Sequence, residues 1–126
     1  MRHRDLPRRE RQILDIVYKL GSATAGEVQE RLPDGPSYNA VRAVLRGMEE
    51  KGIVRHQYEG PRYVYSPTVP KGRARKSALR HVLDTFFDGS TEDAVAALLD
   101  VKGSSLEQEE LDRLAALIDA AKKGGR

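Results

Sequence analysis

The 126-residue chain has no cysteine, so disulfides, thiolate metal sites and cysteine nucleophiles are all excluded. Tryptophan is also absent, and five Tyr with two Phe are too few aromatics for a thick β-sandwich; a helical protein fits better. No run of 18 apolar residues is present to cross a membrane, and the N-terminal charges are not followed by the apolar stretch of a signal peptide, so a cytoplasmic protein is expected. Histidine is scarce. His3, His56 and His81 are far apart, without HxxxH or HExxH spacing, and neither a Walker loop nor a G-x-G-x-x-G turn occurs. No catalytic residue, metal or cofactor is expected, and the chain is not read as an enzyme. The acidic pairs Glu49-Glu50 and Glu109-Glu110 read as solvated helix faces.

Charge is abundant and unevenly placed. Residues 1–66 carry 12 Lys/Arg against 9 Asp/Glu, residues 67–80 carry 5 against none, and residues 81–126 carry 5 against 10. The net values of +3, +5 and −5 suit the first 80 residues to a polyanion and give the remainder another task.

Periodicity predicts a first helix from about Leu6 to Leu20, with Pro7 in its first turn, Ile13, Ile16, Val17 and Leu20 on one face, and Gly21 as its stop. Thr24 and Glu27 form a capping box for a short second helix that ends at Pro33-Asp34-Gly35, with Val28 and Leu32 facing inward. Ser37 is placed to cap a third helix running to about Lys51. Its Val41, Val44, Leu45 and Met48 make an apolar stripe, while Asn39, Arg42, Ala43 and Arg46 share a polar, cationic face. From Ile53 the period becomes extended. Residues 53–58 and 62–66 form a hairpin around Glu59-Gly60-Pro61, with Tyr63 and Tyr65 on one face.

Pro67 and Pro70 then precede a basic hinge, Lys71-Gly72-Arg73-Ala74-Arg75-Lys76. A fourth helix carries Leu79, Val82, Leu83, Phe86 and Phe87 on one stripe. A fifth, opened by Thr91, turns Val95, Leu98 and Leu99 inward, and a last one, capped by Ser105 with Gln108, carries Leu111, Leu114 and Ile118. Short amphipathic helices beyond a hinge bury such stripes poorly alone, so residues 77–121 are expected to form a homodimer interface. The terminal Gly124-Gly125-Arg126 is expected to fray.

The fold class is therefore mainly α (α+β): a winged helix-turn-helix over residues 1–70, then a basic hinge and helical dimerisation region over 71–126. Double-stranded DNA is the expected partner. The third helix would read it, with Ser37, Tyr38, Asn39, Arg42, Ala43 and Arg46 presented to bases or phosphates. Arg62 marks the wing tip, with Arg55 and His56 also on the hairpin, and Arg73, Arg75 and Lys76 supply phosphate-binding charge. Tyr63 and Tyr65 read as wing support, and Tyr38 as either a packing or a contact residue. An alternative use of the same fold is a protein-interaction or architectural module without a specific operator, and a third is a regulator that senses a small ligand in its dimer region.

Four segments together resemble the penicillinase-repressor family, the BlaI/MecI type of winged-helix transcriptional regulator. They are Leu6 to Val17, Val44 to Val54, the wing Gly60-Pro61-Arg62-Tyr63-Val64-Tyr65-Ser66-Pro67, and Leu106 to Leu114. The resemblance implies a winged-helix head, a C-terminal helical dimerisation region and repression at a dyad-symmetric operator. It also implies an upstream membrane sensor-protease pathway, which in the best-known members cuts an Asn-Phe bond in the dimer region. That bond would fall near Ala97-Leu98, and this chain has no Asn after Asn39. Copper-responsive relatives carry Cys motifs that are missing here.

Overall fold

Pro7 fixes the backbone at the N-cap of α1 (Arg8–Leu20), one residue outside the helix. Ile13, Leu14 and Val17 are buried, together with Leu6 just ahead of the helix. Leu20 is 37% exposed instead of inward, because it is the last helical residue before Gly21, at φ 84°, turns the chain away. The structure, a computed structural model, describes residues 3–124.

α2 (Ala25–Arg31) starts on a complete capping box. The Thr24 hydroxyl accepts from the Glu27 N–H at 3.2 Å and the Glu27 carboxylate accepts from the Thr24 N–H at 2.9 Å, so two otherwise orphaned donors are satisfied. Ser37 caps α3 (Tyr38–Glu50) in the same way, accepting from the Ala40 N–H at 3.1 Å. Val41, Leu45 and Met48 are buried against α1 and α2, with Val44 packed at the edge of that cluster.

The end of α3 aims the wing. The Gly52 N–H donates to the Glu49 carbonyl at 2.9 Å and the Ile53 N–H to the Met48 carbonyl at 2.9 Å, with Gly52 at φ 79°. This is a Schellman closure, which a side chain at position 52 would strain. It delivers the chain into β1 (Val54–Glu59), antiparallel to β2 (Arg62–Pro67) in a register from Val54↔Pro67 to Glu59↔Arg62. The turn is thus Gly60-Pro61 alone, since Glu59, expected in the loop, is paired. Ala23 adds a bridge to β2, its N–H donating to the Tyr65 carbonyl at 2.9 Å and its carbonyl accepting from the Tyr65 N–H at 2.8 Å. A hairpin that is marginal in water is thereby pinned to the helices, with Val54 and Tyr65 in the core.

Ion pairs and hydrogen bonds tie the ends of α1 to its surroundings. Arg9 grips Asp34 through two N–H groups, and Lys51 Nζ lies 2.8 and 3.0 Å from the Glu10 oxygens. The Tyr18 hydroxyl donates to the Val69 carbonyl at 2.7 Å, just before α4.

The basic stretch expected as a hinge is helical: α4 spans Lys71–Phe86. Pro70 accounts for this, because its fixed φ suits a helix start and its carbonyl accepts from the Ala74 N–H at 3.0 Å. The chain divides into two compact units, Met1–Leu79 and Arg80–Arg126. In the second, α5 (Thr91–Lys102) is capped by Ser90, which accepts from the Asp93 N–H at 3.1 Å, so Thr91 is already helical. The capping box expected at Ser105 and Gln108 does not form. Ser105 instead donates to the Lys102 carbonyl at 2.8 Å within a short 3-10 turn, and α6 (Gln108–Lys123) begins after Glu107 without a side-chain cap. No residue of α4, α5 or α6 is buried, so Val95, Leu98 and Leu99, expected inward, stand exposed. Gly125 and Arg126 lie outside the described residues.

Candidate nucleic-acid interface

The buried stripe of α3 fixes what its other side offers. Because Val41, Leu45 and Met48 face the core, Tyr38, Asn39, Arg42, Ala43 and Arg46 emerge on the exposed side. Ser37 precedes them with its hydroxyl already engaged as the helix cap. Tyr38 is 49% exposed and therefore not a core residue; the Arg42 guanidinium carbon lies 5.9 Å from its ring centroid, within cation–π range. Asn39 is helical and exposed, one residue beyond the first helical position, so the capping role goes to Ser37 alone.

A cleft of about 440 Å³ lies between this face and the wing. Tyr38 and Arg42 line it from α3, Thr24 to Gly26 from the start of α2, and Pro61, Arg62, Tyr63 and Tyr65 from the hairpin. The structure thus brings Tyr38, Arg42 and Arg62 to one opening. Among the described residues no carboxylate comes within 4 Å of the Arg42, Arg46 or Arg62 guanidinium, though Glu27 attracts Arg62 at longer range, whereas Arg9 and Lys51 are engaged by Asp34 and Glu10. Arg73, Arg75 and Lys76 are exposed on the first two turns of α4.

Along one face of the wing runs an aromatic row. His56 stacks on Tyr63 with centroids 4.0 Å apart and planes at 2°, and Tyr58 meets Tyr63 edge-on at 4.9 Å. Tyr65 is buried at the inner end, while Tyr63 and Tyr58 are 38% and 68% exposed toward the tip. The Tyr58 hydroxyl donates to that of Tyr63 at 3.2 Å, and this bond chiefly raises the Tyr58 pKa. Burial raises that of Tyr65, with nearby Glu49 adding to the effect and Arg42 and Arg46 opposing it. Tyr65 and Tyr63 both support the wing and line the cleft, Tyr65 from its buried inner end and Tyr63 from nearer the tip. Arg55 lies on the opposite face of the hairpin, exposed.

Several contributors escaped the sequence reading, Thr24 and Glu49 among them. Thr24 was legible as a cap but not as a wall of the cleft, because only the fold brings α2 beside the wing. Glu49, read as a solvated acid, is half-buried and accepts from His56 Nδ1 at 2.7 Å through each oxygen. Its spacing from Arg42 and Arg46, seven and three residues, was the available signal that it shares their side of α3.

No helix among the described residues is long and apolar enough to cross a membrane. The sequence profile of the penicillinase repressor family matches residues 6–120. The penicillinase repressor of Bacillus licheniformis is 22% identical over 115 residues, covering 90% of this chain and 88% of that protein. An uncharacterised 16.5 kDa protein of Latilactobacillus sakei is 23% identical over 113 residues, covering 88% and 76% respectively. Among solved structures, the complex structure of hsRosR-S4 superposes with a TM-score of 0.59 at 17% identity, over 83% of this chain and 96% of that one, a likeness of fold. With a profile match that takes in both the winged helix and the three C-terminal helices, the chain belongs to the penicillinase repressor family of transcriptional regulators.

Proposed function

We propose that the chain represses transcription as a homodimer bound to a dyad-symmetric operator. The observation that carries this reading is the cleft in which Arg42 and Arg62, neither within 4 Å of a carboxylate among the described residues, face one opening from the third helix and the wing. In this arrangement α3 enters the major groove, where Arg42 and Arg46 reach guanine O6 and N7 or a phosphate. Arg62 at the wing tip holds a flanking backbone, and Arg73, Arg75 and Lys76 add sequence-independent attraction.

The apolar faces of the last three helices support the second copy. Phe86 is 72% exposed, Leu98 61%, Leu117 67% and Ile118 53%, on helices without one buried residue. So much exposed apolar surface marks an interface. Leu79, Val82, Leu83, Val95, Leu99, Leu111 and Leu114 belong to the same apolar stripes, while Phe87, expected on the fourth helix, directly follows its last residue, Phe86. A two-fold dimer presents two reading heads, and its operator is then a dyad.

Gel shift of genomic fragments against competitor DNA tests the reading. Specific binding of about a thousandfold or more over competitor is expected. A ratio near unity would instead favour an architectural role.

A further inference from the structure

A carboxylate among the arginines of a DNA-reading face works against binding, and Glu49 is one. It follows Arg46 by three residues and Arg42 by seven on the same helix, which sets it along their stripe. Yet its side chain is engaged. Both oxygens accept from His56 Nδ1 at 2.7 Å, and Oε2 also accepts from the His56 backbone N–H at 3.3 Å. An ionised carboxylate has no proton to give, so Nδ1 carries one. His56 in turn lies flat on Tyr63 at 4.0 Å, and Tyr63 lines the cleft beside Arg62 and Arg42. The Schellman closure, the Ala23–Tyr65 bridge and the burial of Val54 and Tyr65 fix the inner end of the hairpin, and the Glu49–His56 contact ties α3 to the outer part that carries Tyr63 and Arg62.

We propose that Glu49 and His56 are positioning residues that lock the pitch of the wing to the reading helix, so that Arg62 meets the DNA backbone while Arg42 and Arg46 sit in the groove. The inference rests on the reading of the chain as an operator-binding protein. Charge and position then act with opposite sign. Coulomb's law alone says that removing Glu49 from beside two arginines strengthens binding to a polyanion. Positioning says that removal weakens it, because the wing no longer holds Arg62 against the DNA.

The test uses the full chain and the duplex that the wild type enriches from a random-sequence pool. Affinity and its salt dependence are measured for Glu49→Ala, Glu49→Gln, Arg62→Ala and the double variant Glu49→Ala/Arg62→Ala, with thermal melts to establish that each is folded. Glu49→Ala is expected to weaken binding by roughly three- to thirtyfold, within the range of couplings in one hydrogen-bonded network. Its salt slope should fall by about 0.9, the share of a single neutralised phosphate. Glu49→Gln, which keeps an acceptor for Nδ1, restores binding to near wild type or better. Arg62→Ala weakens the wild type but adds almost nothing to Glu49→Ala, because Arg62 no longer reaches the DNA in that background. Binding by folded Glu49→Ala that is unchanged or tighter, or an undiminished cost of Arg62→Ala in that background, overturns the proposal. A wild-type chain that enriches no duplex overturns the operator reading itself, and this arm is scored before any variant is compared.

Discussion

Arg42 carries a pair of consequences, since it sits against the Tyr38 ring and opens onto the cleft. Replacing Arg42 or Arg46 by Ala is expected to cost about 1–3 kcal/mol of operator affinity where the side chain is bidentate to guanine, with relaxed preference at one base pair. Equal weakening on all sequences would reassign that arginine to phosphate. Asp34 makes a contrasting case, because the Arg9 hydrogen bonds hold its carboxyl below the ordinary carboxylate range. The hydrogen bond to the Thr24 N–H does the same for Glu27. A carboxyl depressed in the folded state contributes stability above its unfolded pKa of about 4, lost as pH falls through the lowered folded value. Asp34→Asn should therefore flatten the fall of Tm on acidification from about pH 5 to 3; an unchanged acid limb would remove the pair from the stability of the head.

Elements with chemical punctuation were the legible ones. Thr24 with Glu27 and Ser37 mark helix starts by side-chain caps, Gly52 marks a helix end by its φ of 79°, and all three signals stand where the sequence places them. The apolar stripe of α3 was equally readable, and with it the cationic face opposite. What failed lacked such local determinants. Ser105 and Gln108 match the capping pattern, but a 3-10 turn claims the Ser105 hydroxyl. Lys71 to Lys76 looks like a solvated linker by composition, yet Pro70 starts a helix there. That helix makes the basic cluster a shaped feature, with Arg73, Arg75 and Lys76 on two turns of α4. Neutralising all three should weaken every DNA sequence alike and shallow the salt slope by about 0.9 for each phosphate that one of them neutralises. An unchanged slope would take α4 out of the DNA-binding surface.

The two compact units differ in kind. The first closes a core around Ile13, Val17, Leu45 and Met48, each fully buried, and explains its own stability. The second carries helices whose apolar faces remain open, a property that sequence periodicity revealed as stripes but assigned partly to an interior that one chain does not have. A second copy supplies that interior in the proposed assembly. Phe86→Glu should accordingly leave the winged helix folded, shift the chain toward monomer in light scattering at micromolar concentration, and weaken operator binding. A variant that remains dimeric with wild-type affinity would place the interface elsewhere. The direct measurement for the whole proposal is DNase footprinting of the wild-type chain on its own promoter region with competitor DNA present. Two protected half-sites related by a dyad and spaced by one or two helical turns, about 10 or 21 base pairs, are expected; uniform protection without a preferred site, or a single half-site occupied alone, would contradict it.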